Sequence, residues 1–194
     1  GHSSSRGDPG HGAMEPSELQ IDEVEARLEE LHAASFGWAC SCCGWNEADA
    51  EDVLQKAYVK VLSGAARYDG RARFRTWLFG VIRLTAMEHR RRERTQAERA
   101  ERSAADPALQ PPAPERPDAP LERAERARRL RGALEQLPPR QQEVLNLVFY
   151  HDLTLKEAAA VMEVSIGSAR VHYDRGKKRL RALLAEASEP GGAR

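Results

Sequence analysis

Leu155-Lys156-Glu157-Ala158-Ala159-Ala160-Val161-Met162, followed by Glu163-Val164-Ser165 and then Ile166-Gly167-Ser168-Ala169-Arg170-Val171-His172-Tyr173-Asp174-Arg175, is the stretch that decides the fold. The first eight residues pattern as a short helix with small side chains where a second helix must approach. Ser165 is placed to cap the next helix, because a hydroxyl there accepts from the otherwise unpaired N–H groups of the first turn. Two helices joined by a three- or four-residue turn make a helix-turn-helix, whose second helix enters the major groove of duplex DNA. That second helix carries Arg170, Arg175, Lys177, Lys178, Arg179 and Arg181 around the acid Asp174. Ile166, Ala169, Leu180, Leu183 and Leu184 are its expected core-facing members. Arginines near its start suit guanine edges, and the later cluster suits phosphates.

Upstream of this motif, helical patterning covers roughly 122–137 and 139–150, so the second unit is expected over 122–186 with a short disordered tail at 187–194. Before it lie Pro107, Pro111, Pro112, Pro114, Pro117 and Pro120. Each proline removes a donor and restricts the preceding residue, so 98–121 is expected to be an extended, flexible linker rather than a helix. The first unit, over 15–97, has helical periodicity from a cap at Ser17 through Leu19, Val24, Leu28 and Leu31. A second helix is predicted from about Ala48 to Leu62, and a third from about Phe74 into Arg90-Arg91-Arg92. Gly and Asp at Gly64, Asp69 and Gly70 supply turn chemistry between them. Residues 1–14, rich in Gly, Ser and His, read as a disordered leader of expression origin. The expected fold is therefore all-α, two small helical domains joined by a Pro-rich linker.

The 194 residues balance 30 Lys+Arg against 30 Asp+Glu, yet the charge is unevenly placed. Met14 to Ala66 holds eleven acids and three basic residues, whereas Arg67 to Arg102 holds eleven arginines and five acids. Such asymmetry points to one face for a protein partner and another for a polyanion. No apolar run approaches the roughly 20 residues that cross a bilayer, and no secretory h-region is present, so no membrane insertion is expected and a cytoplasmic address follows. No phosphate loop, zinc-hydrolase motif or nucleophile elbow occurs, which argues against an enzyme.

The stretch Arg67-Tyr68-Asp69-Gly70-Arg71-Ala72-Arg73-Phe74-Arg75-Thr76-Trp77 interleaves rings with guanidinium groups. This composition suits single-stranded DNA, whose bases stack while cations hold the backbone. The same Phe74, Trp77 and Leu78 also fit core spacing on a helix. A further cluster, Cys40, Cys42 and Cys43, is too crowded for a disulfide framework. With His32 the thiols are weak candidates for a zinc or copper(I) site, or for a redox switch given a lowered thiol pKa. The alternative is packing, with Trp38, Cys42 and Trp45 facing the core. No cofactor is otherwise expected.

The order of an Asp49-Ala50-Glu51-Asp52-Val53-Leu54-Gln55 helix, a Tyr68-Asp69-Gly70 loop, Phe74-Arg75-Thr76-Trp77-Leu78, a Pro-rich linker, Leu137-Pro138-Pro139-Arg140-Gln141-Gln142-Glu143-Val144-Leu145 and a helix-turn-helix resembles the extracytoplasmic-function (ECF, group 4) sigma factors of the bacterial sigma-70 family. The resemblance runs from about Glu18 to Leu184. It implies a factor without chemistry of its own that joins core RNA polymerase, directs promoter-specific initiation and assists DNA melting. Residues 15–97 would be sigma region 2 and 122–186 sigma region 4. Asp49, Asp52 and Gln55 match the helix that docks on the polymerase. Arg67, Tyr68, Asp69, Arg71, Arg73, Phe74, Arg75, Trp77 and Leu84 match the surface that captures and melts the single-stranded non-template strand of the −10 element. Ser168, Arg170, Val171, His172, Arg175 and Lys178 match the reader of the duplex −35 element. A cognate anti-sigma factor is the further implied partner. Leu84 stands where the family commonly has Asn, Gly80 where it has a basic residue, and Val148 where it often has Arg. Glu163 stands where many such turns place Gly, at a cost of about 1 kcal/mol if the backbone is left-handed. The competing reading is a free-standing helix-turn-helix transcription regulator carrying a Cys-based metal or redox sensor, which leaves the acidic helix and the Arg/aromatic loop unused.

Overall fold

The structure is a computed structural model and describes residues 21–101 and 121–186. The expected leader, the cap at Ser17, the proline-rich segment and the tail lie outside the described residues. Those residues form eight helices: α1 (Ile21–Glu30), α2 (His32–Cys42), α3 (Glu47–Leu62), α4 (Phe74–Glu101), α5 (Leu121–Glu135), α6 (Pro139–Phe149), α7 (Leu155–Met162) and α8 (Ile166–Glu186). Among the described residues there is no strand, so the fold is all-α. Helix α4 runs to Glu101, four residues into the stretch expected to be linker from 98 onward.

The first four helices make one bundle. The helix expected to run through Leu31 ends one residue earlier, and Leu31 (φ −90°, ψ 0°) turns the chain directly into α2. That second helix lies at the centre of the bundle, with Ser35, Trp38, Ala39 and Cys40 buried. Its end is a tight turn with two successive positive φ angles, Gly44 at 62° and Trp45 at 67°. Asn46 then caps α3, its side chain accepting from the Asp49 N–H at 3.1 Å. Val53, Leu54, Ala57 and Val61 recur at helical spacing and are buried, whereas Leu62, expected on that face, is exposed. On α4 the buried series is Phe74, Leu78, Phe79, Ile82 and Ala86.

The second bundle opens with α5 and turns at Pro138-Pro139, where proline in the first turn of α6 loses no helical bond. Thr154 and Glu157 form a reciprocal capping box on α7. Glu163 adopts the left-handed conformation (φ 56°, ψ 44°) and so carries the strain expected of a side chain at that turn. Ser165 caps α8, accepting from the Ser168 N–H at 3.0 Å. Ala169 is buried and Leu180 and Leu183 are half-buried, but Ile166 is exposed rather than core-facing because it sits at the first, outward-turned position of the helix. Gly176 lets α8 lie close on α6: a Cβ there would meet Leu145 Cδ1 at 3.1 Å and Gln141 Cβ at 3.2 Å.

The two bundles share a continuous core. Helix α7 packs on α4, and α6 packs on α2. Trp38 Nε1 donates to the Phe79 carbonyl at 3.0 Å. The ring of His151, in the turn after α6, meets Phe79 and Trp38 edge-on with centroids 4.9 and 5.9 Å away.

Candidate protein- and nucleic-acid-binding surfaces

The acidic helix begins with Asn46 as its cap, which fixes Asp49 in the first turn, where a carboxylate is favoured by the helix dipole. Asp49 and Asp52 both turn towards His89 on α4. Asp49 Oδ1 lies 3.4 Å from Nε2 and Asp52 Oδ2 lies 3.4 Å from Nδ1, while Glu93 Oε1 approaches Nε2 at 3.3 Å. Lys56 pairs with Asp52 one turn along. Gln55 projects into solvent. The three residues expected to dock on a protein therefore share one side of the first bundle, but the two acids are partly engaged by α4. His89 and Glu93 were not singled out from the sequence. Their i,i+4 spacing was visible there, although it lies in an arginine-rich helix end that reads as a solvated face.

The Arg/aromatic loop is built around three rings. Tyr68, Phe74 and Trp77 contact one another with centroids 5.3 to 5.4 Å apart, and Arg27 lies over the Phe74 ring at 5.4 Å. The Tyr68 hydroxyl donates to the Ala72 carbonyl at 2.5 Å, closing the loop on itself. Asp69 accepts from the Arg71 N–H at 3.1 Å, and Gly70 takes φ 73°, so the turn predicted from Tyr68-Asp69-Gly70 is present. Phe74 is buried and Trp77 half-buried, so both double as core, while Arg67, Asp69, Arg71 and Arg73 are exposed. Leu84 is 40 % exposed on α4.

Two of the arginines face the second bundle. Arg73 Nε lies 3.6 Å from Glu157 Oε1 on α7. Arg75 lies over the Phe79 ring at 5.4 Å, and its Nε is buried without a hydrogen-bond partner. A third arginine, not foreseen as interfacial, is decisive: Arg83 is 4 % exposed and pairs with Glu143 of α6, with Glu163 Oε2 3.6 Å away. A buried guanidinium without such partners would be strongly unfavourable, so these acids fix the relative placement of the bundles. His151, 6 % exposed, completes the interface. Burial, reinforced by Arg75, lowers its pKa from 6.5 to about 4, so the ring is neutral there.

On α8, Ser168, Arg170, Val171, Arg175 and Lys178 are exposed and His172 is half-buried. Arg170, Arg175 and Lys178 thus reach solvent, as a groove-reading helix requires. Lys177 is drawn over the Tyr173 ring at 4.2 Å, and Tyr173 stacks on Phe149.

The cysteines do not come together as ligands. Among the described residues, the grouping of three or more His, Cys, Asp or Glu donors within 4.8 Å of one another is Asp49, His89 and Glu93. His32 instead lies exposed beside the Tyr58 hydroxyl, 3.4 Å away. Cys40 is buried, and Cys42 and Cys43 pack against the core with Trp45. Burial, helped by Glu143, pushes the Cys42 thiol well up, and burial with Asp49 raises Cys43 to about 12. Both stay protonated, the reverse of what a reactive thiolate needs.

Comparison with known proteins matches residues 29–96 to sigma-70 region 2 and residues 127–180 to sigma-70 region 4. The chain is 33% identical over 141 residues to the RNA polymerase sigma factor CarQ of Myxococcus xanthus, covering 73% of this chain and 78% of that one. It is 28% identical over 163 residues to the ECF RNA polymerase sigma factor EcfG of Rhodopseudomonas palustris, covering 84% and 83%. Its fold resembles that of the sigma factor RpoE bound to the anti-sigma factor NepR from Bartonella quintana (TM-score 0.64, 20% identity, 84% of this chain and 98% of that one). It also resembles CnrH in complex with the cytosolic domain of CnrY (TM-score 0.56, 23% identity, 87% and 89%).

Proposed function

The chain belongs to the sigma-70 family, in its extracytoplasmic-function branch, and from that premise we propose how its surfaces share the work of starting transcription. It is an RNA polymerase sigma factor, whose partners are core polymerase and promoter DNA. Asp49, Asp52 and Gln55 dock on the polymerase. Arg67, Tyr68, Asp69, Arg71, Arg73, Phe74, Arg75, Trp77 and Leu84 capture the unpaired non-template strand at −10. Unstacking a base costs a few kcal/mol, which ring contacts and cations must offset. Ser168, Arg170, Val171, His172, Arg175 and Lys178 read the −35 duplex. The protein makes no bond itself; polymerization belongs to the enzyme it recruits. It works in the cytoplasm, and no described helix is long and apolar enough to cross a membrane.

The observation that carries this reading is the pairing of an Arg/aromatic loop on one bundle with a capped, basic helix-turn-helix on the other. A duplex-only regulator needs the second and leaves the first without a role. The described arrangement is a closed one, with α7 covering part of α4 and Glu157 held against Arg73. The −10 and −35 readers then act together only after the bundles separate, which polymerase binding drives. Of the structural neighbours named above, RpoE is held by the anti-sigma factor NepR and CnrH by the cytosolic domain of CnrY, and an anti-sigma partner would stabilise one arrangement of the bundles here.

Run-off transcription with purified core polymerase on a genomic template library tests the proposal. Discrete, factor-dependent start sites are expected. Asp52→Arg should abolish polymerase association and start sites together while leaving α8 able to bind duplex DNA. Promoter-specific DNA binding that needs no polymerase would favour the stand-alone regulator instead.

A further inference from the structure

We propose that Asp49, His89 and Glu93 form a binding site for a first-row divalent cation such as Zn²⁺, on the side of the first bundle assigned to polymerase docking. The site joins two helices that are distant in sequence, α3 through Asp49 and α4 through His89 and Glu93. The first argument is spacing. His89 Nε2 lies 3.4 Å from Asp49 Oδ1 and 3.3 Å from Glu93 Oε1. Ligands bound at about 2.0–2.1 Å in a tetrahedron sit about 3.3–3.4 Å apart, so both separations are those of donors around a common ion. Glu93 is half-exposed and free to swing the remaining distance towards Asp49.

The second argument is the state of the imidazole. Nε2 is buried and makes no hydrogen bond, although two carboxylate oxygens lie near it. A buried ring nitrogen left unpartnered is unfavourable, and a cation placed between it and those oxygens satisfies all three at once. The other ring nitrogen, Nδ1, faces Asp52 Oδ2 at 3.4 Å. A carboxylate behind the non-ligating nitrogen is the arrangement that orients metal-bound histidines and makes them better donors. Lys56 holds Asp52 in turn. One nitrogen and two oxygens, with water filling the open positions, suit Zn²⁺ or Co²⁺ more than the soft ions that thiolates select. Three carboxylates (Asp49, Asp52 and Glu93) also surround the ring, with Lys56 paired to Asp52, so a divalent charge is electrostatically favoured.

The site itself stands on these distances. Its consequence, that an ion held by Asp49 changes the charge and freedom of the docking face, rests on the docking assignment. The closing experiment therefore separates the two. Co²⁺ titrated into the full-length, metal-stripped protein should produce saturable visible d–d absorption without a thiolate charge-transfer band, and Zn²⁺ should displace it. His89→Ala should abolish the absorption. Glu93→Gln, at a half-exposed position that leaves the core untouched, should weaken Co²⁺ binding at least tenfold. Asp52→Asn should weaken it about tenfold, and Cys43→Ser should leave it unchanged. Absence of d–d bands would overturn the site, leaving the ring with nothing but its contacts to the carboxylates. Bands that survive Glu93→Gln at full affinity, or that carry thiolate character lost in Cys43→Ser, would also overturn it. Core-polymerase affinity measured with and without Zn²⁺ then reads the consequence: a shift in the parent protein that vanishes in Glu93→Gln supports control of docking. No shift, with the spectra intact, removes the link to docking and leaves the site.

Discussion

Acidification should open the protein, and His151 sets how far. Its ring is 6 % exposed, caged by Trp38 and Phe79 of the first bundle, with Arg75 from α4 disfavouring a second positive charge and Asp152 beside it partly opposing that. The result is a pKa lowered from 6.5 to about 4. Separating the bundles returns the ring to water and to its ordinary value. The open form then binds the proton more readily than the closed form throughout that interval. Closure is therefore at full strength above the ordinary value and weakens as pH falls through the window towards the lowered one. Between pH 7 and pH 5 the loss comes to about 2 kcal/mol, or roughly twentyfold in the closing equilibrium. Small-angle scattering at constant ionic strength reads this as an increase in the radius of gyration, with far-ultraviolet circular dichroism confirming that the helices persist. His151→Phe keeps a ring in the cage without a titrating group and should hold the closed dimensions across the range. A wild-type protein that stays compact at pH 5, or a His151→Phe variant that expands equally, would refute the reasoning.

Glu143→Ala leaves Arg83 buried with only the more distant Glu163, and should cost closure about 3–5 kcal/mol, seen as expansion already at neutral pH; Arg83→Met in the same chain should recover most of it. Glu163→Gly removes the left-handed strain at φ 56°, so the Tm of the second bundle should rise by the equivalent of about 1 kcal/mol, while loss of its 3.6 Å contact with buried Arg83 should loosen closure, read by small-angle scattering at neutral pH. Arg170→Ala should weaken −35 recognition by about 1–3 kcal/mol in a promoter-competition assay, and an unchanged preference would move base reading to other residues of α8.

Seven of the eight described helices were legible because their signals are local, whereas α2 (His32–Cys42), mostly small and apolar and without a side-chain cap, was not predicted. Buried Val53, Leu54, Ala57 and Val61 recur at helical spacing, Thr154 and Glu157 cap α7, and the proline pair starts α6. Capping and turn chemistry act over three or four residues, so a single sequence carries them. The misplacements have equally local causes. Leu31 ends α1 without proline or glycine to announce it, and Ile166 lies at a helix position whose outward direction periodicity does not reveal. The cysteine-rich stretch was legible as packing, since Trp38 and Cys40 are buried and Cys42 and Cys43 lean on the core. What could not be read was everything made by contacts distant along the chain. Arg83 and Glu143 are sixty positions apart, and α3 meets His89 some forty residues away. Nothing in the pattern of either segment encodes the other.

That distinction changes the meaning of the charge asymmetry. Counted along the sequence, the eleven arginines from Arg67 to Arg102 look like one reserve of positive charge for a polyanion. In the closed structure they divide. Arg67 and Arg71 face water, Arg73 leans on Glu157, Arg75 is turned onto Phe79 towards His151, and Arg83 is consumed by Glu143 and Glu163. Opening the bundles frees Arg73, Arg75 and Arg83 together with the three acids of the second bundle. DNA binds arginines and repels acids, so it favours the arrangement in which the two are apart. A ligand shifts a two-state equilibrium only by its differential affinity for the two states. On the −10 assignment proposed above, that difference draws on Arg73 and Arg75, two of the cations that face the second bundle. If Arg73 and Arg75 hold promoter DNA as proposed, DNA and closure compete for those two side chains, and the α7 contact on Arg73 must be displaced before α4 takes its partner.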